Sequence, residues 1–178
     1  GVGDVHGGIY NEKGLDIDHL LKYRAKHGSI TGYSEGEKVP AEEFVELPCE
    51  VLVPAAMEAA LTHHNAHKIK ARFVIEGANG PTTTEADDIL RERGVVIVPD
   101  ILANAGGVTV SYFEWVQDIQ KFFWHEADIN QRLDDILTAS FAEVYHLSRK
   151  NKVDLRQGAF MLALGRLAAT VRARGMFP

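Results

Sequence analysis

Residues Glu76–Leu90 read EGANGPTTTEADDIL. They follow a short apolar run, Phe73, Val74 and Ile75, and lead into a segment with helical spacing. A strand that passes through a glycine-rich turn into a helix is the unit from which parallel α/β sheets are built. Gly77 and Gly80 permit a close backbone approach or a positive φ, and a plain turn needs no more than that. Asn79, set between them, adds a donor and an acceptor at a strand exit. Two readings of Asn79 stay open on the residues alone. Its side chain can hold a ligand's hydroxyl or carboxamide, or it can take a left-handed turn conformation and bond its own backbone.

The same pattern repeats on either side. EVLVPAA and VVIVPD are short continuous apolar runs, the form expected of parallel strands buried on both faces. Gly1–Val5 reads as the second half of another such strand, followed by a GGIYN turn. Asp16 is placed to cap a helix reaching about Lys26, with Gly28 ending it. Residues 29–40 read as loop, AEEFVELP as a short helix closed by Pro48, and residues 57–70 as partly helical. Thr83 or Thr84 starts the helix after the quoted turn, Asp87 being the capping-box partner if Thr84 is the cap. Beyond residue 100 the periodicity predicts helices only, over about 107–124, 128–150 and 154–174, the last capped by Asp154 and ended by Gly175. The expected fold class is α/β: a partial Rossmann-type parallel sheet with flanking helices over residues 1–106, then a C-terminal helical segment over 107–178.

Composition bounds the function. The chain has 178 residues, 19 basic and 25 acidic, for a net charge of −6. That balance argues against nucleic acid or an anionic membrane as the main partner. Cys49 is the single cysteine, which excludes a disulfide framework or a cysteine metal site and suits a reducing, cytoplasmic compartment. The opening GVGDV, with no initiator methionine, reads as the interior of a strand, so a preceding segment is expected. Without it the sheet would have an uncovered face and an open edge, and the isolated chain is expected to be marginally soluble.

In an open parallel sheet, ligands lie beyond the carboxyl ends of the strands. The residues there are Asp4, Pro54–Ala56, the GANGPTT turn and PDILANAGG, all small or amide-bearing apart from acidic termini. Together they predict a flat crevice lined by backbone, of the kind a dinucleotide occupies. Asp4 stands where a dinucleotide fold puts its ribose-binding carboxylate, though an exposed turn aspartate reads equally well. GVGDVHGG nearly matches a phosphate-binding glycine fingerprint, but His6 stands where its last glycine belongs and no strand precedes it. In NAGGVTVSYFEW, Val108, Ser111, Tyr112 and Trp115 share one helical face. The two glycines expose amides that favour an anion, and Ser111 is a candidate for a substrate carboxylate. Tyr112, Trp115, Ile119 and Phe122 read instead as a core stripe. His63, His64 and His67 have helical spacing, but no carboxylate accompanies them and a solvated face is the simpler reading.

Four segments, DVHGGIYNEKGLD, PCEVLVPAA, EGANGPTTTEADDIL and PDILANAGGVTVSYFEWVQ, together closely resemble the C-terminal, dinucleotide-binding half of glutamate dehydrogenases, within the glutamate, leucine, phenylalanine and valine dehydrogenase family. The resemblance covers nearly the whole chain. It implies reversible NAD(P)-dependent oxidative deamination of L-glutamate to 2-oxoglutarate and ammonia, and a homo-hexamer in the intact protein. By resemblance, Asp4 contacts the adenosine ribose, Ala55 and Asn79 the nicotinamide-side ribose, and Asn104 the nicotinamide and substrate region. Val108 and Ser111 face the substrate side chain. The family's catalytic lysine and aspartate and its glycine fingerprint have no counterparts here, so no catalytic residue is assigned and the chain alone is expected to be inactive. NAD is the expected cofactor, since Asp4 would repel a 2′-phosphate, with NADP possible if His6 is protonated. Branched-chain or aromatic amino acids as substrates, or a non-catalytic nucleotide-binding subunit, are the alternatives.

Overall fold

The computed structural model describes residues 1–175; the last three residues of the expected C-terminal helical unit lie outside that range. The elements in order are β1 (Val2–Asp4), β2 (Gly7–Tyr10), α1 (Ile17–His27), β3 (Glu37–Val39), α2 (Ala41–Phe44), β4 (Val51–Leu52), β5 (Phe73–Ile75), α3 (Thr84–Glu92), β6 (Val96–Val98), α4 (Asp100–Ala103), α5 (Gly106–Gln120), α6 (Glu126–Asn151) and α7 (Leu155–Arg174). The class is α/β, with a parallel sheet and flanking helices, as expected.

That parallel sheet holds three strands in the order β4-β5-β6, with Val51 opposite Phe73 and Val74 opposite Ile97. Side chains alternate across it. Leu52, Val74 and Ile97 point into a core completed by Leu61, Ile69, Ala86 and Leu90. Val51, Phe73 and Val96 stand exposed on the opposite face. Burial on both faces therefore does not hold. Helix α3 covers one face, and the C-terminal helices reach the other only near β6, where Val98 and Leu102 pack against Val144, Leu155 and Ala159.

The first strand is not part of this sheet. β1, β2 and β3 form a separate antiparallel sheet, with Gly3 opposite Gly8 and Tyr10 opposite Glu37. The expected GGIYN turn is thus the second strand of a hairpin, and the expected loop at 29–40 supplies its third. Glycine hides this from periodicity, because a strand of glycines has no apolar face to read. Its role is steric. The Phe44 ring of α2 lies against β1 and β2, and a Cβ on Gly8 would come within 2.1 Å of it. The neighbouring Val45 packs on the parallel-sheet core, so α2 joins the two sheets through adjacent side chains.

Local capping signals hold well. Asp16 accepts from the His19 amide and Gly28 takes a left-handed conformation with φ 79°. The Asp154 side chain accepts from the Gln157 amide. Thr83 is the cap of α3, accepting from the Ala86 amide at 3.3 Å, so the Thr84–Asp87 box does not form. The partly helical reading of 57–70 reduces to one 3-10 turn at Ala66–Lys68. Helix α5 stops earlier than expected. Lys121 is left-handed, and the Gln117 side chain accepts from the Trp124 amide at 2.7 Å to close the turn.

The predicted core stripe on α5 is overturned. Its buried side is Phe113 and Gln117, which face α6 and Trp124. Tyr112, Trp115, Ile119 and Phe122 are all more than half exposed. Phe160, Leu164 and Leu167 of α7 are exposed as well. Exposed apolar surface on this scale promotes association, so the purified 178-residue chain is expected to sediment as concentration-dependent oligomers. A single monomeric species with one sharp thermal transition would contradict this. Leu90, fully buried under the sheet, contrasts with the exposed Leu167. Leu90→Ala should lower the unfolding free energy by about 3 kcal/mol, and Leu167→Ala by under about 0.5 kcal/mol, as read by denaturant titration.

Candidate functional site

The three parallel strands end side by side, and the chain leaving each is tied to the next. After β4, the Pro54 carbonyl accepts from the Ala78 amide at 2.9 Å. After β5, Glu76 continues the ladder by donating its amide to the Val98 carbonyl at 3.1 Å. Its carboxylate then accepts from the Asp100 amide at 2.8 Å. Asp100 in turn accepts from the Gly80 amide at 2.8 Å. Gly80, with φ 54°, supplies the left-handed residue of the turn. Asn79 does not take that conformation, which removes the turn reading left open above.

These exits enclose an open cleft of about 740 Å³ lined by Ala55, Ala56, Glu58, Gly77, Ala78, Asn79, Asn104 and Val108. A Cβ on Gly77 would lie 3.0 Å from the Ala55 Cβ, so glycine here lets the two exits approach. Asn104 closes α4 and turns its amide across the cleft floor. Its Nδ2 donates to the Asn79 Oδ1 at 2.7 Å and lies 3.3 Å from the Ala78 carbonyl and 3.4 Å from that of Gly77. Within the described residues, the Asn79 Nδ2 and Asn104 Oδ1 have no protein partner, so one donor and one acceptor remain for a ligand.

The expected site residues thus divide. Ala55, Asn79, Asn104 and Val108 line a single cleft. Ser111 is exposed one turn along α5 from Val108 and does not line it. Asp4 is not brought there. It ends β1 in the antiparallel sheet, where its carboxylate accepts from the His6 amide at 2.8 Å and approaches the Ile30 amide at 3.4 Å and the Ser29 hydroxyl at 3.5 Å. The reason is the hairpin: Asp4 terminates a strand whose partner runs antiparallel, so its exit faces the β1–β2 turn.

Sequence reasoning passed over the charged layer beneath the cleft. Glu76 is fully buried. Arg156, at the start of α7, donates to it at 2.6 Å, to Asp87 at 3.1 Å, and lies 3.6 Å from Asp100. Burial raises the Asp87 carboxyl above its ordinary value, with Arg156 partly opposing the shift. For Arg156, burial works to lower the guanidinium, but the hydrogen bond and charge of Glu76, then those of Asp87, outweigh it and the net direction is up. The signal for this layer was a glutamate closing an apolar strand, which requires a partner if buried; which partner was not readable. Among the described residues, no group of three or more His, Cys, Asp or Glu side chains is arranged to hold a metal ion, and His63, His64 and His67 are exposed.

Comparison with known proteins agrees on one family. The glutamate dehydrogenase of Thermotoga maritima is 50% identical over 177 residues, covering 99% of this chain and 42% of that protein. The NAD-specific glutamate dehydrogenase of Staphylococcus aureus is 48% identical over 175 residues, with 98% and 42% covered. The chain therefore spans well under half the length of the curated relatives it matches. Among solved structures, a hetero-hexameric glutamate dehydrogenase from Thermus thermophilus in its Leu-bound form superposes with a TM-score of 0.89 at 36% identity, covering 98% of this chain and 41% of that one. The family model for glutamate/leucine/phenylalanine/valine dehydrogenases matches residues 1–175, and the chain belongs to that family.

Proposed function

We propose that the whole protein catalyses the reversible NAD(P)-dependent oxidative deamination of L-glutamate to 2-oxoglutarate and ammonia, and that these residues supply its cofactor-binding half. The observation that carries this is the cleft at the ends of β4, β5 and β6, with Asn79 and Asn104 presenting free amide atoms over small residues. Its volume and shallow, backbone-rich floor suit the nicotinamide half of a dinucleotide. When bound, the nicotinamide would supply the hydride-transfer chemistry; Ala55, Asn79 and Asn104 would hold and orient it.

Within this reading Ala55 leaves room for the ribose, and Asn79 offers its amide N–H to a ribose hydroxyl. Asn104 accepts through its free oxygen near the nicotinamide and substrate. Val108 borders the substrate side chain, and Ser111, exposed on the next turn of α5, binds the distal carboxylate once a second domain closes on the cleft. Acid–base steps fall to residues outside these 178. NAD is favoured over NADP, supported by the NAD-specific name of one relative and by an acidic group, Asp4, assigned to the adenosine ribose. A cytoplasmic homo-hexamer is the proposed state; the hetero-hexameric relative supports a six-subunit assembly in general, and the exposed apolar faces of α5 and α7 support association.

The test is a steady-state assay of the full-length protein with L-glutamate, L-leucine, L-valine and L-phenylalanine, each with NAD and NADP. Turnover confined to glutamate is expected. Preference for leucine or valine would move the assignment to a branched-chain dehydrogenase, and wild-type protein that binds NADH without turnover would make it a non-catalytic subunit. Losing a hydrogen bond to a charged group costs about 1.5–3 kcal/mol, so Ser111→Ala should raise the glutamate KM by roughly ten- to a hundredfold, with the NAD KM little changed. Asn79→Ala should do the reverse, weakening NADH binding in a fluorescence titration about tenfold while leaving the glutamate KM nearly intact.

A further inference from the structure

The cleft is braced from below as well as by its own hydrogen bonds. Each of its two asparagines hangs on an element fixed from below by charge. Asn79 precedes Gly80, whose amide is held by one oxygen of Asp100. Asn104 closes the four-residue helix that Asp100 begins. Asp100 is in turn held through its own amide by the buried Glu76, the residue immediately before Gly77. Three carboxylates, those of Glu76, Asp87 and Asp100, therefore converge beneath the cleft. Among the described residues, Arg156 is the cation that reaches all of them, and it comes from α7, eighty positions from Glu76. Its planar fork meets Glu76 through one terminal nitrogen, Asp87 through Nε, and Asp100 through the other terminal nitrogen. A lysine carries its three donors on one nitrogen and cannot reproduce the spacing of three separate nitrogens in a planar fork.

We propose that Arg156 is a positioning residue for the cofactor cleft, acting through Glu76 and Asp100 to set Asn79 and Asn104. It touches no ligand itself. This rests on the cleft being the cofactor site. Loss of a purely structural ion pair would lower stability and leave the affinity of the folded protein unchanged; loss of a positioning residue changes affinity in protein that is fully folded. The same two helices carry a built-in control. Arg91 of α3 pairs with Asp154, the cap of α7, at 3.4 Å, and this pair bonds to neither Glu76 nor Asp100.

The experiment uses the full-length protein, with NADH as the fluorescent probe and circular dichroism to establish folding. Arg156→Met should raise the NADH Kd about tenfold, in line with the loss of a side chain supporting a ligand contact. The NAD KM should rise with it, and the glutamate KM should move less than about twofold. Arg156→Lys should recover part of the loss, and Asp100→Ala should reproduce it. Arg91→Ala should lower the melting temperature without moving the Kd. An unchanged Kd in folded Arg156→Met overturns the proposal, as does an equal rise in Arg91→Ala, which would mean general loosening of α7. Should Arg156→Met fail to fold, Arg156→Lys decides: a Kd raised about threefold or more supports the proposal, and a wild-type Kd overturns it. Wild-type protein that binds no NADH overturns the cofactor reading and this inference with it, whereas normal wild-type binding with unaffected variants overturns the inference alone.

Discussion

A fully buried carboxylate at the end of the central strand constrains everything around it. Glu76 follows three apolar residues and is sealed beneath the cleft. An unpaired charge there would be prohibitively unfavourable. The chain answers with a guanidinium from its last helix on one oxygen and a backbone amide on the other. Those two bonds fix three things together: the start of α7, the exit of β5 and the exit of β6. The ion pair is weak evidence for net stability. What it supplies is register, because the C-terminal helices can dock on β6 in one position only if Arg156 is to reach its partners.

The cleft above is made by omission. Ala55, Gly77 and Ala78 keep the strand exits low, so the backbones of β4 and β5 come close enough to bond directly. Among the described residues, Glu58, Asn79 and Asn104 are the lining side chains with hydrogen-bonding capacity, and the two asparagines hold each other. Each uses half its amide on its neighbour and turns the other half outward. Such mutual restraint is the preorganisation a binding site needs, since neither side chain must be ordered when a ligand arrives.

The same economy leaves the rest of the surface unfinished. Val51, Phe73 and Val96 on one sheet face, the aromatic side of α5 and much of α7 are open to solvent. For a family whose curated relatives are more than twice this length, these apolar faces are natural surfaces for further protein to cover. The α5 stripe shows how periodicity can be right and its interpretation wrong. Tyr112, Trp115 and Ile119 do share a face, but α6 covers the other one.

What the sequence determined by itself was local. The Asp16 and Asp154 caps and the Gly28 stop depend on residues three or four positions apart, and all are found in the structure, while the choice of Thr83 over Thr84 as the cap of α3 was left to the structure. So are the three parallel strands and the small residues at their exits, because a buried strand must be apolar and a crevice must lack bulk. Periodicity could not see the antiparallel hairpin, since Gly3, Gly7 and Gly8 carry no side chain to alternate. It read the strand ending at Asp4 as one more parallel strand, because strand direction follows from the pairing partner, and that partner is the antiparallel β2. It had no access to Arg156, which looks like any charged residue in a first helical turn. Only tertiary structure decided these, for physical reasons: the β1–β2 hairpin pairs glycine-rich strands that leave no side-chain pattern to read, and the buried charge of Glu76 is met by Arg156 from eighty positions away, where local spacing carries no information.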